Sequence, residues 1–395
     1  MSAREDALAA YRRMKTGAEP IRRSEDHGCL DLPSLREVEW RRAVCDACEH
    51  IIRASAGLGC RKCPTCPSGR EKRILFTLPK TASGRALFTC PEGRWDTYEG
   101  AAVRRPPRVF VIISSFNEGP RVRATVDAFR AVTALPVETV VVDDQSTDGS
   151  CIELPGHVIR RERATGIGPN FNDGAALALS LGADVLIFAD AHVRVSSELV
   201  EAVAGKCCAG PGIASSASRA YGGLPVAGFG GRLARKDIIS VQWALIQPTH
   251  EWTQIQAPIG GLYSMSAETA RLLASPTGMI FDTTAGLYGY VEEMLAIKAH
   301  FLHVPVFVYI ADPHQHLFKT TSERPGMMLE RRRNLVYCLA LYFSAEFFEE
   351  RFLATAETLL PPEEVARLRR EAEGKCKRSW TVDAEHAFYD ALPEA

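Results

Sequence analysis

Three short apolar runs, each closed by a cluster of polar residues, set what this chain can fold into. Residues 109–113 run Val-Phe-Val-Ile-Ile before Ser114-Ser115-Phe116-Asn117-Glu118-Gly119. Residues 138–142 lead into Asp143-Asp144-Gln145-Ser146-Thr147-Asp148-Gly149, and residues 185–189 lead into Asp190-Ala191-His192. Each run is too short for a buried helix and lacks polar alternation, as a strand covered on both faces would. A helical stretch over 121–131 separates the first two, so strand, helix, strand predicts a βαβ unit in a parallel sheet. Ligands of such sheets sit in the crevice beyond the carboxyl ends of the strands, where the three polar loops converge.

The third loop carries the most specific chemistry. On an extended chain residues i and i+2 point to one side, so Asp190 and His192 aim a carboxylate and an imidazole at one point. Oxygen plus imidazole suits manganese or a related divalent ion better than a thiolate site would. The alternative is a strand-ending turn beside a helix cap.

Together these segments resemble the family 2 glycosyltransferases, nucleotide-sugar enzymes of the GT-A fold. Within that group the chain is similar to the polypeptide N-acetylgalactosaminyltransferases, which carry D-x-H where others carry D-x-D. Gly260-Gly261-Leu262-Tyr263 resembles their Gly-Gly-Leu-Phe segment, Gly289-Tyr290-Val291-Glu292-Glu293 their Gly-Gly-Glu-Asn element, and Gln315-His316-Leu317-Phe318-Lys319 their Gly-His-Val-Phe-Arg segment. The resemblance covers roughly residues 107 to 340. It implies an α/β, Rossmann-like GT-A domain over 107–350 that holds Mn2+ (or Mg2+) through Asp190, His192 and His316. His314, two residues away, is the rival ligand, and a His316 paired only to Asp312 is the structural alternative.

The same resemblance implies a UDP-sugar donor touching Phe116, Asn117, Glu118, Asp144, Asn172, Asp190, Gly260 and Gly261, with Asp144 accepting the uracil N–H. Asp143 is expected to cap its own turn instead. Lys319 and Arg324 belong to a loop that either closes over the phosphates or stays solvated. Glu292 and Glu293 face a hydroxyl acceptor, or else merely favour the start of a helix over 294–300. Two departures stand out. Pro169-Asn170-Phe171-Asn172-Asp173 replaces the basic residues expected after Gly166, and no lectin repeat follows.

The expected activity is metal-dependent sugar transfer from UDP to a hydroxyl of protein, glycan or modified nucleic acid, with retention of configuration favoured. A nucleotidyltransferase would also use a doubly wound sheet with acidic metal ligands. A catalytically silent zinc-containing binding protein is the third reading.

Six of the twelve cysteines fall in one window: Cys45, Cys48, Cys60, Cys63, Cys66 and Cys90. Paired C-x2-C turns present thiolates to a tetrahedral ion, so residues 41–100 are expected to form a module in which four of the six hold structural zinc. An iron–sulfur cluster is the alternative. Residues 41–108 carry 14 Lys/Arg against 6 Asp/Glu, a local +8 that leaves −9 for the rest of a chain of net charge −1. Such a patch meets an acidic partner or is a solvated face. Residues 1–40 read as a helical segment and 351–395 as a helical tail. Neither a signal peptide nor a membrane span is visible, which favours a cytoplasmic protein.

Overall fold

The computed structural model describes residues 51–54, 57–60, 106–132, 134–221, 227–235, 238–318 and 326–394. The chain divides into two units, one of residues 1–106 together with 208–210, and one of residues 107–207 and 211–395. In the first, strands β1 (Ile51–Ala54) and β2 (Gly57–Cys60) pair antiparallel. Cys60 ends β2. Cys45, Cys48, Cys63, Cys66 and Cys90, and the helix expected over 1–40, lie outside the described residues.

The second unit begins as its sequence predicts. β3 (Val109–Ser115), α1 (Pro120–Arg130) and β4 (Val137–Asp143) form the βαβ unit, with β3 and β4 parallel. Pro120 opens α1 at a position where its missing N–H has no partner to lose. β5 (His157–Arg160) extends the sheet beside β4, then α2 (Ile167–Ser180) returns the chain to β6 (Val185–Asp190) on the other side of β3. Val109 through Ile113 are wholly buried, as a central strand requires. Gly174 lets α2 sit on the sheet: a Cβ there would lie 2.3 Å from the Ile112 Cγ2.

Beyond β6 the sheet becomes mixed. The chain continues through β7 (Val193–Arg194), α3 (Ser197–Ala209), β8 (Ile213–Ala220) and β9 (Ala227–Gly228). A separate hairpin, β10 (Gly231–Arg235) and β11 (Ile239–Trp243), precedes β12 (Trp252–Ile255) and β13 (Leu262–Ser266). After α4 (Ala267–Ala274) and α5 (Val291–Phe301) comes the long β14 (Val306–His316). The strand order is β12-β14-β8-β13-β6-β3-β4-β5, with β7 on β14 and β9 on β8.

One expectation is corrected here. The apolar run over 304–310 predicts a strand with His316 in the loop that follows it, whereas β14 runs on to His316 itself, with a register irregularity between Tyr309 and His314. Continued pairing with β8, and with β7 at Val193, holds that polar stretch in the sheet.

Phe171, Phe188, Tyr263 and Phe281 form the aromatic centre, with ring centroids 4.8 to 6.3 Å apart. Each such side chain contributes about 1.5–3 kcal/mol by leaving water. The same core takes in α6 (Met327–Tyr342), α7 (Ala345–Arg351), α8 (Leu353–Leu359), α9 (Pro362–Ala372) and α10 (Val382–Asp390) through Phe343, Phe352, Leu368 and Phe388. Trp380 stacks on Phe301 at 4.5 Å and 5°. Residues 351–394 therefore pack into the core of the second unit. Among the described residues, no helix is long and apolar enough to cross a membrane.

Candidate metal and donor site

The polar loops at the ends of β3 and β4 hold one another. Asn117 is in the left-handed region (φ 52°), and its Oδ1 accepts from the N–H groups of Thr147 (2.8 Å) and Asp148 (3.3 Å). Its own N–H donates to the Ser146 Oγ. Asp143 caps the turn, as expected, by accepting from the Ser146 N–H at 2.8 Å. Asp144 is 2% exposed and accepts from the N–H groups of Thr165 (2.7 Å) and Gly166 (3.0 Å), fastening the turn to the start of α2. Phe116 lies beside this network, 36% exposed.

The end of β6 is built differently. Asp190 is the last residue of that strand, His192 lies in the turn after it, and His316 ends β14. A carboxylate oxygen of Asp190 lies 2.9 Å from the His316 Nε2 and 3.9 Å from the His192 Nε2. One ligand atom from each of the three residues falls within 4.8 Å of the other two, so a single ion can reach all three. Glu118 hydrogen-bonds the His192 Nδ1 at 3.2 Å, which leaves Nε2 as the ligating nitrogen. Carboxylate–histidine pairs of this kind fix the tautomer and ring angle of metal ligands. Glu118 was expected on the donor; the structure gives it this orienting contact, which the sequence order of the two residues, 74 apart, did not disclose.

His314 is wholly buried and bonded through Nδ1 to the Ser216 hydroxyl at 2.6 Å, and burial pushes its imidazole down to about 3. The short approach to Asp190 belongs to His316. Gly261 (φ +102°) makes room for both rings: a Cβ would lie 2.6 Å from the His314 Nε2 and 2.9 Å from the His316 Cδ2. Its carbonyl accepts the Asp190 N–H at 3.0 Å.

Gly260, its neighbour, abuts the acid side, where a Cβ would meet the Glu292 Oε1 at 2.8 Å. Burial, then the charges of Glu293 and Asp190, raise the Glu292 carboxyl to about 7. Both acids lie in the first turn of α5, whose N-cap residue Tyr290 makes no side-chain cap. Glu293 is buried and paired with Arg331 at 2.5 Å, so it braces α5 against α6. Of the two, Glu292 is the one left partly exposed.

Asn172 leaves the donor set. Its Nδ2 donates to the Phe281 carbonyl (2.7 Å), and its Oδ1 accepts the N–H groups of Ile280 and Phe281. A side chain so fully used by main chain is a clamp. Lys319 and Arg324 lie outside the described residues.

Residues 110–245 match the sequence family described as Glycosyl transferase family 2. No curated protein sequence matches the chain. Among solved structures, the chain is similar to GalNAc-T7, solved with UDP, GalNAc and Mn2+, at a TM-score of 0.53 and 18% identity. That alignment covers 74% of this chain and 59% of the other, so this chain spans less than two thirds of that protein. The likeness establishes a GT-A-type fold for the α/β unit. A mannosyltransferase from Pyrobaculum calidifontis, solved with GDP-Man and Mn2+, scores 0.40 at 17% identity, over 73% of this chain and 81% of that one. Glucosyl-3-phosphoglycerate synthase from Mycobacterium tuberculosis, solved with Mn2+, UDP and glucosyl-3-phosphoglycerate, scores 0.39 at 18%, over 59% and 78%.

Proposed function

We propose that this chain is a metal-dependent glycosyltransferase that moves a sugar, hexosyl or N-acetylhexosaminyl, from a UDP-sugar to a hydroxyl acceptor. The observation that carries the reading is the convergence of Asp190 on β6, His192 in the turn after it and His316 on β14 on one point at the carboxyl end of β6. One carboxylate and two neutral imidazoles suit Mn2+ or Mg2+ and leave the ion a net positive charge. When bound there, the ion supplies Lewis-acid stabilisation of the departing diphosphate.

This chain's own residues do the rest. Glu118 keeps the His192 ring turned toward Asp190. Asp144 retains lone pairs beyond its two main-chain bonds and is assigned to the uracil N–H. Phe116 and the glycine pair Gly260-Gly261 border the donor, and Lys319 and Arg324 are assigned to its phosphates. Retention, in which the departing phosphate oxygen takes the acceptor proton, is the favoured course. One observation supports inversion instead: a Glu292 carboxyl poised near 7 suits a general base. The anomeric configuration of the product, read by NMR, separates the two.

Four of Cys45, Cys48, Cys60, Cys63, Cys66 and Cys90 are assigned to structural zinc, checked by elemental analysis of protein purified without added metal. A cytoplasmic setting, which keeps thiols reduced, belongs to the same reading. The transferase itself is tested by incubating the chain with Mn2+ and a panel of UDP-sugars. Release of UDP that stops in chelator is expected, whereas release of pyrophosphate from a nucleoside triphosphate would point to the nucleotidyltransferase.

A further inference from the structure

The edge of the metal site carries two arginines that the transfer chemistry does not use. Arg194 on β7 pairs in register with Gln315 on β14, and Gln315 pairs in turn with Arg219 on β8. All three are exposed, in one row across three adjacent strands, whereas Val193, His314, His316 and Ser218 beside them are buried. Strand spacing of about 4.8 Å sets the two arginine Cα atoms about 10 Å apart, within reach of one ligand for side chains of this length. Neither guanidinium has a carboxylate partner among the described residues. Arg194 instead lies over the ring of Tyr221, 4.1 Å from its centroid. Tyr221 follows Arg219 by two positions, just past the end of β8.

Tyr221 joins this row to the metal ligands. Its N–H donates to the His316 carbonyl at 3.2 Å, and its hydroxyl donates to the His192 carbonyl at 3.3 Å. The stacked Arg194 is therefore held against the main chain of both histidines. Two like charges in one row repel each other, and an oxyanion between them removes that repulsion while accepting paired N–H bonds from each fork. The Gln315 amide adds a donor between them.

We propose that Arg194, Gln315 and Arg219 form a subsite for an oxyanion, a phosphate monoester or a carboxylate, carried by the acceptor. The word acceptor rests on the transferase reading; the anion site rests on the register and the stacking alone. The acceptor class is thus an anionic hydroxyl compound rather than a neutral one.

Calorimetric titration of the full chain with a hexose 6-phosphate, a hexuronate and the unmodified hexose tests the subsite directly. Binding of one anionic sugar, with the neutral hexose at least about tenfold weaker, is expected. The better of the two anions names the oxyanion. R194A and R219A should each weaken it by about tenfold, and R194K should restore only part, because an ammonium lacks the fork. Equal affinity for all three sugars, or full binding in R194A and R219A, overturns the subsite. Mn2+-dependent UDP binding by the unaltered chain, measured in the same instrument, reports on the transferase reading separately. UDP binding without preference for an anionic sugar sinks the subsite alone, and the reverse pattern sinks the transferase alone.

Discussion

The two polar clusters at the mouth of the sheet are similar in composition and opposite in state. At the ends of β3 and β4, Asn117, Asp143 and Asp144 each accept from neighbouring N–H groups. At the ends of β6 and β14, a carboxylate and two imidazoles face one another at ligand spacing, and the Glu118 carboxylate aims one of the rings. The first cluster is chiefly a brace, with lone pairs left on Asp144, and the second has the spacing of a metal receptor. Acidic residues at strand ends are therefore not equivalent, and the hydrogen-bond partners decide which are available for chemistry.

The sharpest break of that comparison is Asp190→Ala. With the shared carboxylate gone, Mn2+-dependent UDP affinity should fall by several kcal/mol, about three orders of magnitude, with the fold retained in circular dichroism. Tight Mn2+-dependent UDP binding in this variant would end the receptor description.

Glu292→Gln comes next. If Glu292 takes the acceptor proton, turnover should drop about 10²-fold or more, and the rise in rate through pH of about 7 should vanish. Its effect on stability runs the other way. A carboxyl raised from 4.5 to about 7 binds its proton more readily when folded, so stability present at low pH is lost as pH climbs through that interval. Urea melts at pH 5 and pH 8 should differ less in the glutamine variant than in the parent; an identical difference would place Glu292 in an ordinary solvated setting.

A smaller effect sharpens the distinction between holding and aiming. Glu118→Gln should lower Mn2+ affinity by about 10–100-fold, through loss of ring orientation rather than of a ligand. An unaltered affinity would mean that the turn alone sets the His192 ring. At the brace, Asp144→Ala should cost about 1–3 kcal/mol of stability by stranding the N–H groups of Thr165 and Gly166. Chemical denaturation that fails to distinguish this variant from the parent would show those bonds to be idle.

The parts of this site that were legible in the sequence were those encoded locally. Uninterrupted apolar runs marked β3, β4 and β6, and the offsets around His316 separated it from His314. Asp143 was legible as a cap because Asp before Ser-Thr in a turn has few other uses. What escaped was set by partners far along the chain. Glu293 reads as a cleft acid until Arg331, on another helix, is seen to neutralise it. Asn172 reads as a donor contact until the main chain at 280–281 takes every atom of its amide. The continuation of β14 through Asp312-Pro313-His314 was hidden because those residues have poor strand propensity, and pairing with β8 and β7 overrides it.

That β6 and β14 are not neighbours, being separated by β13 and β8, gives the metal centre a place in time as well as in space. Asp190 and His316 are 126 residues apart. At about 5–20 residues per second, a ribosome needs roughly 6–25 s to travel from one codon to the other. Throughout that interval the emerging polypeptide owns a carboxylate and one imidazole but no third ligand, and the last strand of the set must thread beside β8 before the ion is gripped. If these three residues hold an ion, its loading is in this sense a check on synthesis, satisfied only by a chain whose sheet has been completed.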